Sequence, residues 1–519
     1  MRQYRGIGGF AIVFILLLVM IQNAWVSDDG YITLRVVENL AAGYGPVFNV
    51  GERVQVFTHP LWAGMLAAEH YVLLRVPAYQ ALQLPLYSLT IWSGLLLSAL
   101  AVALFLWKVA PRRQAALLCL IVLGFSRSFI HYSTSGLENP LLHLITAAIL
   151  AAILFRPNDT FLISLLVGLG LLARWDFPLA FGPYLIYLLA VSKDRKRTLL
   201  DMFAGLAPAM AWELYAIVYY GFPFPNTAYA KLATGLPRSV LFAQGWLYVE
   251  DLWVHDRLTF VTIAAGIAAS LASREWPRRT LGAGLVLCLA FLCWRGGDFM
   301  SGRLFSPLLV LALGLLASAP LSSAKPLYGA AIAALAIGFT VPNPPFLRDE
   351  RIGTAPRSDF VYKGEVTDER AYYYPRTGLL APGKYYLRRQ FPPPDRWVVD
   401  EAAYEVRELN DLGIKGYSAG PSVHVFDAYA LADPLLARLP AHLEWSSIGH
   451  AARLLPDGYL ESLQQRENLI VDPNLAEYYE RLRLVVRGEV FDPRRLLEIA
   501  RFNLGLNNAL LRAYVAADE

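Results

Sequence analysis

The chain has 519 residues, of which 56% are hydrophobic and 17% charged, with a formal net charge of +4 and a mean hydropathy of +0.40. That composition excludes an ordinary soluble globular protein and describes a multi-spanning membrane protein, for which so small a net charge gives no reason to expect a nucleic-acid partner. The three cysteines, Cys119, Cys288 and Cys293, all lie in apolar segments, so neither a disulfide framework nor a thiolate metal site follows from them.

The first long apolar run, residues 10–26, is followed at once by DDGYITLR (28–35). Two adjacent carboxylates where a helix leaves the lipid are expensive, and a charged group held at a membrane face is read as functional. Asp28 and Asp29 are therefore the candidate general base or nucleophile, acting on something lipid-borne. The competing reading is that the pair only caps a helix over residues 30–42.

Apolar runs of spanning length recur at 7–26, 84–107, 114–131, 137–155, 160–174, 177–192, 199–219, 257–273, 280–295, 304–319 and 325–342, which predicts eleven transmembrane helices. Residues 60–76 carry Glu69, His70 and Arg75 and read as a helix lying in the interface. With eleven spans and a cytoplasmic N-terminus, the basic clusters Arg2/Arg5, Lys108/Arg112/Arg113, Lys193/Arg195/Lys196/Arg197 and Arg274/Arg278/Arg279 all fall inside. A twelfth span would place the last three of them outside.

The same topology puts the polar motifs on the outer face: DDGYITLR, the loop through NVGERVQVFTHPLW (49–62) with His59, HYSTSGLENP (131–140), RWDF (174–177), GFPFPNTAYAK (221–231) and RGGDFMSGR (295–303). Helices that only anchor or conduct have no reason to collect Asp, Glu, Asn, His and aromatic residues at one set of ends, whereas a reaction at the outer face does. Glu138 begins a spanning helix, where the macrodipole favours a carboxylate. Its functional reading is hydrogen bonding, together with Ser133, Thr134 and Ser135, to a polyhydroxylated substrate.

In GFPFPNTAYAK, turn-forming Gly and Pro precede Asn226, Tyr229 and Lys231, and the lone cation beside aromatic rings reads as a phosphate ligand. In RGGDFMSGR the glycines expose backbone amides to an anion, Arg295 and Arg303 flank the loop, and Asp298 lies inside it. Outer arginines bind phosphate or pair with Asp298 or another outer carboxylate. His59, His131 and His255 lack the i, i+4 spacing of a metal helix, so no metal or other cofactor is expected and a divalent cation is not indicated.

Beyond residue 342 no apolar run of spanning length remains, and the odd span count makes this region extracytoplasmic. The expected organisation is a transmembrane catalytic domain over 1–342 and a soluble α/β cap over 343–519. Proline-rich stretches at 341–346 and 391–395 mark a linker, SVHVFDAY (422–429) alternates as a strand, and 474–486 and 493–515 read as helices, each begun by Asp-Pro.

Paired carboxylates, cations and a polar, aromatic-lined outer face describe an enzyme taking a group from a lipid phosphate. Polyprenyl-phosphate sugars fit, since their phosphate rests at headgroup level and the sugar projects outward. The carboxylate activates an acceptor hydroxyl or attacks the anomeric carbon, and Lys or Arg stabilises the departing phosphate.

The ordered set DDGYITLRVVENLAAGYGPVFNVGERVQVFTHPLW, STSGLENPL, GFPFPNTAYAK and GGDFMSGR, with GYSAGPSVHVFDAYALADPLLARLP (416–440) and IGHAARLLPDGYL (448–460), resembles the AftB-like arabinofuranosyltransferases. These are integral-membrane glycosyltransferases of the GT-C type. The resemblance implies a membrane all-α GT-C core, a decaprenyl-phosphoryl-arabinofuranose donor, and a cell-envelope glycan acceptor at the outer face of the bacterial cytoplasmic membrane. Asp28 and Asp29 match the family's acidic pair. Glu138, Asn226, Lys231, Asp298 and Arg303 match polar positions of its outer loops. RWDFP (174–178) stands where an Arg-Pro-Glu type sequence is usual, and the C-terminus reads as shorter, which bears more on the acceptor than on the donor. If a β-linked donor gives a β-linked product, an aspartate acts as nucleophile. Three other readings stand beside this one: a GT-C enzyme using mannose or aminoarabinose to modify protein or lipid A, a lipid-linked sugar transporter, and an envelope protein whose cap is a binding module.

Overall fold

The computed structural model describes residues 7–77, 85–232, 234–320, 323, 325–347, 351–381, 397–409, 411–442 and 449–518. Arg2, Arg5 and the proline-rich 391–395 lie outside the described residues. The chain divides into two compact units, the first Met1–Ser27, Leu86–Ala209 and Arg238–Arg388, the second Asp28–Pro85, Met210–Pro237 and Arg389–Glu519. This division does not follow the composition break at residue 342: residues 343–388 cluster with the first unit, and residues 28–85 with the second.

The first unit is built from apolar helices. Each of the eleven predicted runs contains one, but among the described residues only Leu86–Val109 (24 residues), Arg195–Tyr220 (26 residues) and Trp276–Arg295 (20 residues) have the length and hydropathy to cross a membrane. The other eight are 10–17 residues long, short of the ~20 residues a bilayer core requires. The run 114–131 shows why: Ser126 breaks it into Arg113–Phe125 and Arg127–His131, its hydroxyl capping the second helix by accepting from Phe129 N.

Packing between these helices relies on small residues at contact points. A Cβ on Gly284 would fall 2.0 Å from the Ala180 carbonyl oxygen, so Trp276–Arg295 meets Pro178–Val191 backbone to backbone. Arg257–Leu271 and Ser306–Ala317 approach in the same way at Gly266, where a Cβ would lie 2.7 Å from that of Ala312. The outward sides are apolar as well: Leu199, Leu200, Phe203, Trp92, Leu96, Val286, Leu287 and Ile332 are all exposed. Such faces are stable in lipid and a liability in water, and the chain is a membrane protein.

The second unit has a core drawn from all three of its chain segments. Ile32, Val36 and Phe48 come from the first, Tyr220 and Phe222 from the second, and Val425, Leu435, Tyr459, Leu475, Leu482 and Val485 from the third. The predicted strand forms over Val423–Phe426, parallel to Glu405–Glu408 in the register Glu405↔Val423. All four residues of Val423–Phe426 are buried, so its alternation does not mark a solvent face.

Both Asp-Pro helix starts form. Asp472 accepts from Leu475 N at 2.8 Å to open Pro473–Arg487, and Asp492 accepts from Arg494 N at 2.8 Å to open Pro493–Asn503. The single helix expected over 493–515 is two: Gly505, at φ +73°, interrupts it, and a second helix runs over Asn508–Asp518.

Two buried arginines pin this unit together. Arg35 donates from Nε to the Phe48 carbonyl and from Nη2 to that of Val423, both at 2.7 Å, and from Nη1 to that of Gly416. Arg495 donates to the carbonyls of Val485, Val490, Val218 and Tyr219 at 2.7–2.8 Å. Neither meets a carboxylate in these bonds. Each satisfies carbonyls that secondary structure leaves open.

Candidate active site

Asp28 and Asp29 form the first turn of the helix Asp28–Ala41, where unpaired amides favour negative charge. The two then diverge. Asp28 is buried, and its oxygens accept from the backbone N–H groups of Gly413 (2.9 Å) and Ile414 (2.8 Å). It thus sits over the start of a different helix, Ile414–Ala419, and the reading of the pair as a cap of its own helix does not describe it. Burial pushes the Asp28 carboxyl up to about 7, with Asp29 and Asp411 adding to the rise and the two amides working against it.

Asp29 is half-buried. Four residues on, and therefore on the same face, Thr33 holds its hydroxyl 2.8 Å from His59 Nε2, while Thr58 Oγ1 lies 3.3 Å from His59 Nδ1. His59 itself is buried at the N-cap of Pro60–Leu73. Further along Asp28–Ala41, Glu38 accepts from Tyr417 Oη at 2.9 Å and lies 3.4 Å from His70 Nε2, and Asn39 donates to the carbonyls of Val47 and Phe48. Most polar residues of this helix are thus fastened within the second unit.

In the first unit a chain of six charged groups alternates in sign. Arg303 Nη1 lies 3.7 Å from Asp298 Oδ2 and Nη2 lies 3.4 Å from both Glu138 oxygens. Glu138 Oε1 is 3.8 Å from Arg174 Nη1. Arg174 grips Asp176 with two bonds, Nε to Oδ1 at 2.5 Å and Nη2 to Oδ2 at 2.8 Å, and Arg295 Nη1 lies 3.7 Å from Asp176 Oδ2. Burial raises the Asp176 carboxyl, but Arg174 and Arg295 outweigh it and hold it below the usual carboxylate range.

Glycines shape this site. Gly296 (φ +92°) and Gly297 (φ +74°) let the chain turn sharply out of Trp276–Arg295, which brings Asp298 inward, where its carboxylate accepts from Phe299 N at 2.9 Å. Arg295 and Arg303, predicted to bind phosphate, are here paired with carboxylates, the structural alternative weighed for them. Glu138 is the N-cap residue of Asn139–Phe155 and makes no side-chain capping bond; beyond the macrodipole, its carboxylate faces Arg303 and Arg174. Arg174 and Asp176 are the members that motif reading left unassigned. Their signal was an Arg and an Asp two apart at an outer helix end.

Of the three hydroxyls expected to bind a substrate beside Glu138, two are otherwise engaged, while Ser135 Oγ is buried without a hydrogen-bond partner. Ser133 donates to the Phe129 carbonyl at 2.7 Å and Thr134 accepts from Trp25 N at 3.1 Å. A neighbouring buried ion pair, Arg127 with Asp368, was not anticipated. Burial raises the Asp368 carboxyl, but Arg127, His131 and the Ala371 amide more than offset this and hold it at about 2.

GFPFPNTAYAK lies in the second unit. Asn226 donates to the carbonyls of Ala430 (3.0 Å), Leu431 (3.1 Å) and Asp433 (2.9 Å), so its side chain fastens a loop. Tyr229 packs edge-on against Phe222 and Phe224, and the Arg438 guanidinium lies 4.8 Å from its ring centre. Lys231 is half-buried in the last turn of Asn226–Leu232. Of the predicted phosphate set, Lys231 belongs to the second unit and Arg295 and Arg303 to the first. Among the described residues no group of three or more His, Cys, Asp or Glu is placed to hold a metal ion.

Two curated proteins are similar in sequence. A terminal beta-(1->2)-arabinofuranosyltransferase of Corynebacterium glutamicum is 30% identical over 337 residues, covering 56% of this chain and 47% of that protein. A protein of the same name from Mycobacterium tuberculosis is 27% identical over 536 residues, covering 84% of this chain and 82% of that protein. The chain thus matches about half the length of the first and most of the second. No family model matches, and no solved structure does.

Proposed function

We propose that this chain, similar in sequence to two terminal beta-(1->2)-arabinofuranosyltransferases, is a membrane glycosyltransferase moving an arabinofuranosyl residue from a decaprenyl-phosphate donor to a glycan of the cell envelope. The reaction takes place at the outer face of the cytoplasmic membrane. The eleven-span topology, with the N-terminus inside and the region after residue 342 outside, belongs to the same proposal.

The observation that carries the mechanism is the division of labour within the acidic pair. Asp28 is buried under two backbone amides, whereas Asp29 stands half-buried at the positive end of its helix, on the face that also carries Thr33 and His59. Asp29 is accordingly the reacting carboxylate, while Asp28 serves the fold by holding the start of Ile414–Ala419.

As base, Asp29 takes the proton of the acceptor hydroxyl while that oxygen bonds to the anomeric carbon. The bond from that carbon to the phosphate oxygen breaks, and polyprenyl phosphate leaves with the electron pair. As nucleophile, Asp29 instead forms a glycosyl ester that the acceptor then displaces, which retains the donor's configuration. Arginine stabilises the negative charge that grows on the leaving phosphate.

The test is transfer by purified protein from a panel of polyprenyl-phosphate sugars (arabinofuranose, mannose, aminoarabinose) to a short arabinoside. Transfer confined to the arabinofuranosyl donor supports the reading. Transfer from another sugar in its place moves the enzyme to a different GT-C specificity, and donor equilibration across vesicles without transfer makes it a transporter.

A further inference from the structure

The first unit contains a crevice with about 470 Å³ of empty space, its open mouth included, that no part of the mechanism uses. It is bounded by the first turns of Asn139–Phe155, Pro178–Val191 and Ser306–Ala317 and the last turns of Trp276–Arg295, which are the ends the topology places outside. Its walls are apolar, with Leu142, Phe181, Leu292, Leu308 and Leu311 among them, and its charged groups are Arg174 and Asp176. Apolar walls with a few convergent polar groups are the usual form of a small-molecule site.

Two buried polar atoms of this lining lack a hydrogen-bond partner, Arg174 Nη1 and Thr146 Oγ1. Arg174 has spent Nε and Nη2 on Asp176, and at 3.8 Å from Glu138 its Nη1 is beyond hydrogen-bond reach. A buried guanidinium N–H without an acceptor is costly, and an acceptor oxygen there would relieve it.

We propose that this crevice is the lipid-phosphate site: the isoprenoid units next to the phosphate lie along its apolar walls, and Arg174 Nη1 donates to a phosphate oxygen. This rests on the reading of a polyprenyl-phosphate donor, and it moves the phosphate contact from the flanking arginines of RGGDFMSGR to the arginine of RWDF. Arg174 is then tuned by its partner. Asp176 fixes the plane of the guanidinium and leaves the N–H groups of Nη1 for the phosphate.

The test uses a sugar-free polyprenyl phosphate carrying a photoreactive diazirine near its phosphate end, with full-length protein in detergent, and maps the crosslinks by peptide mass spectrometry. The expected crosslinks fall within 177–181, 288–292 and 304–311 and are competed by unlabelled polyprenyl phosphate but not by phosphatidylglycerol. Equal competition by phosphatidylglycerol would show a site for ordinary bilayer lipid and overturn the proposal, as would crosslinks confined to other segments. Arg174→Gln is expected to reduce crosslinking of the phosphate probe to that of the corresponding prenyl alcohol, and an unchanged preference for the phosphate would remove Arg174 from the site. Leu308→Trp, which fills the crevice, is expected to raise donor KM about tenfold with kcat retained; an unchanged KM would overturn the crevice as the lipid site while leaving the proposed function standing. Because the crosslinking needs no turnover, a mapped crevice without arabinosyl transfer would sustain the lipid site and count against the proposed sugar alone.

Discussion

The Asp28 main chain lies so close to Gly413 that a Cβ on that glycine would fall 1.8 Å from the Asp28 carbonyl oxygen, while the Asp28 carboxylate accepts the Gly413 amide at 2.9 Å. No side chain fits between them. Gly413→Ala is therefore expected to unseat Ile414–Ala419 from Asp28–Ala41 and lower the thermal unfolding temperature of the purified protein. A wild-type melting curve would show that the contact yields without cost.

The raised Asp28 carboxyl fixes the sign of a pH effect. Its ordinary value is 3.8 and its folded value about 7, so between those limits the folded chain binds the proton more tightly than the unfolded one. Stability from this group is fully present below about pH 4 and is lost as pH rises through about 7, each pH unit between the two values counting for about 1.4 kcal/mol. Asp28→Asn removes the titration, and its unfolding temperature is expected to exceed wild type at pH 8 by more than at pH 5. A difference independent of pH would contradict this account. Because Asp427 and Asp433, also raised by burial, are shared by both proteins, they do not affect the comparison.

Arg35 is fully buried and serves three carbonyls, with its guanidinium 4.7 Å from the Phe48 ring centre. Lysine cannot reproduce that planar fork. Arg35→Lys is expected to cost about 2–4 kcal/mol, since hydrogen bonds from charged groups are worth roughly 1.5–3 kcal/mol and some would survive. Urea titration, or detergent-resistant folding judged by size exclusion, reads this out. A variant as stable as wild type would mean those carbonyls find other donors.

How far these features could be read from the sequence depended on distance along the chain. Apolar runs and Asp-Pro starts are local, and the eleven helical segments and the caps at Asp472 and Asp492 were visible for that reason. Asn226, by contrast, meets carbonyls 204–207 residues away, and no local pattern separates a side chain that fastens a loop from one that holds a sugar. Arg35 sits inside the most conspicuous motif of the chain, yet its partners at Gly416 and Val423 lie in the far C-terminal region. Asp28 and Asp29 look identical in sequence, and burial and the amides of Gly413 and Ile414 set Asp28 apart. The span count drew on run length and on the sidedness of the basic clusters, neither of which registers the break at Ser126.

Topology has its own check. With cysteines introduced at positions 29 and 195, a membrane-impermeant thiol reagent added outside intact cells is expected to label the first and spare the second. Labelling of both from outside would overturn the eleven-span arrangement.

The most direct test of the central claim is single-turnover arabinosyl transfer by purified Asp28→Asn and Asp29→Asn beside wild type, with folding confirmed for each. Loss of about 10²–10⁴ in rate is expected for Asp29→Asn, the size of a general-base contribution, with donor binding retained, while Asp28→Asn keeps most of its activity. A folded Asp29→Asn enzyme within about tenfold of wild type, or an Asp28→Asn enzyme that is folded and inactive, would contradict the assignment of the reaction to Asp29.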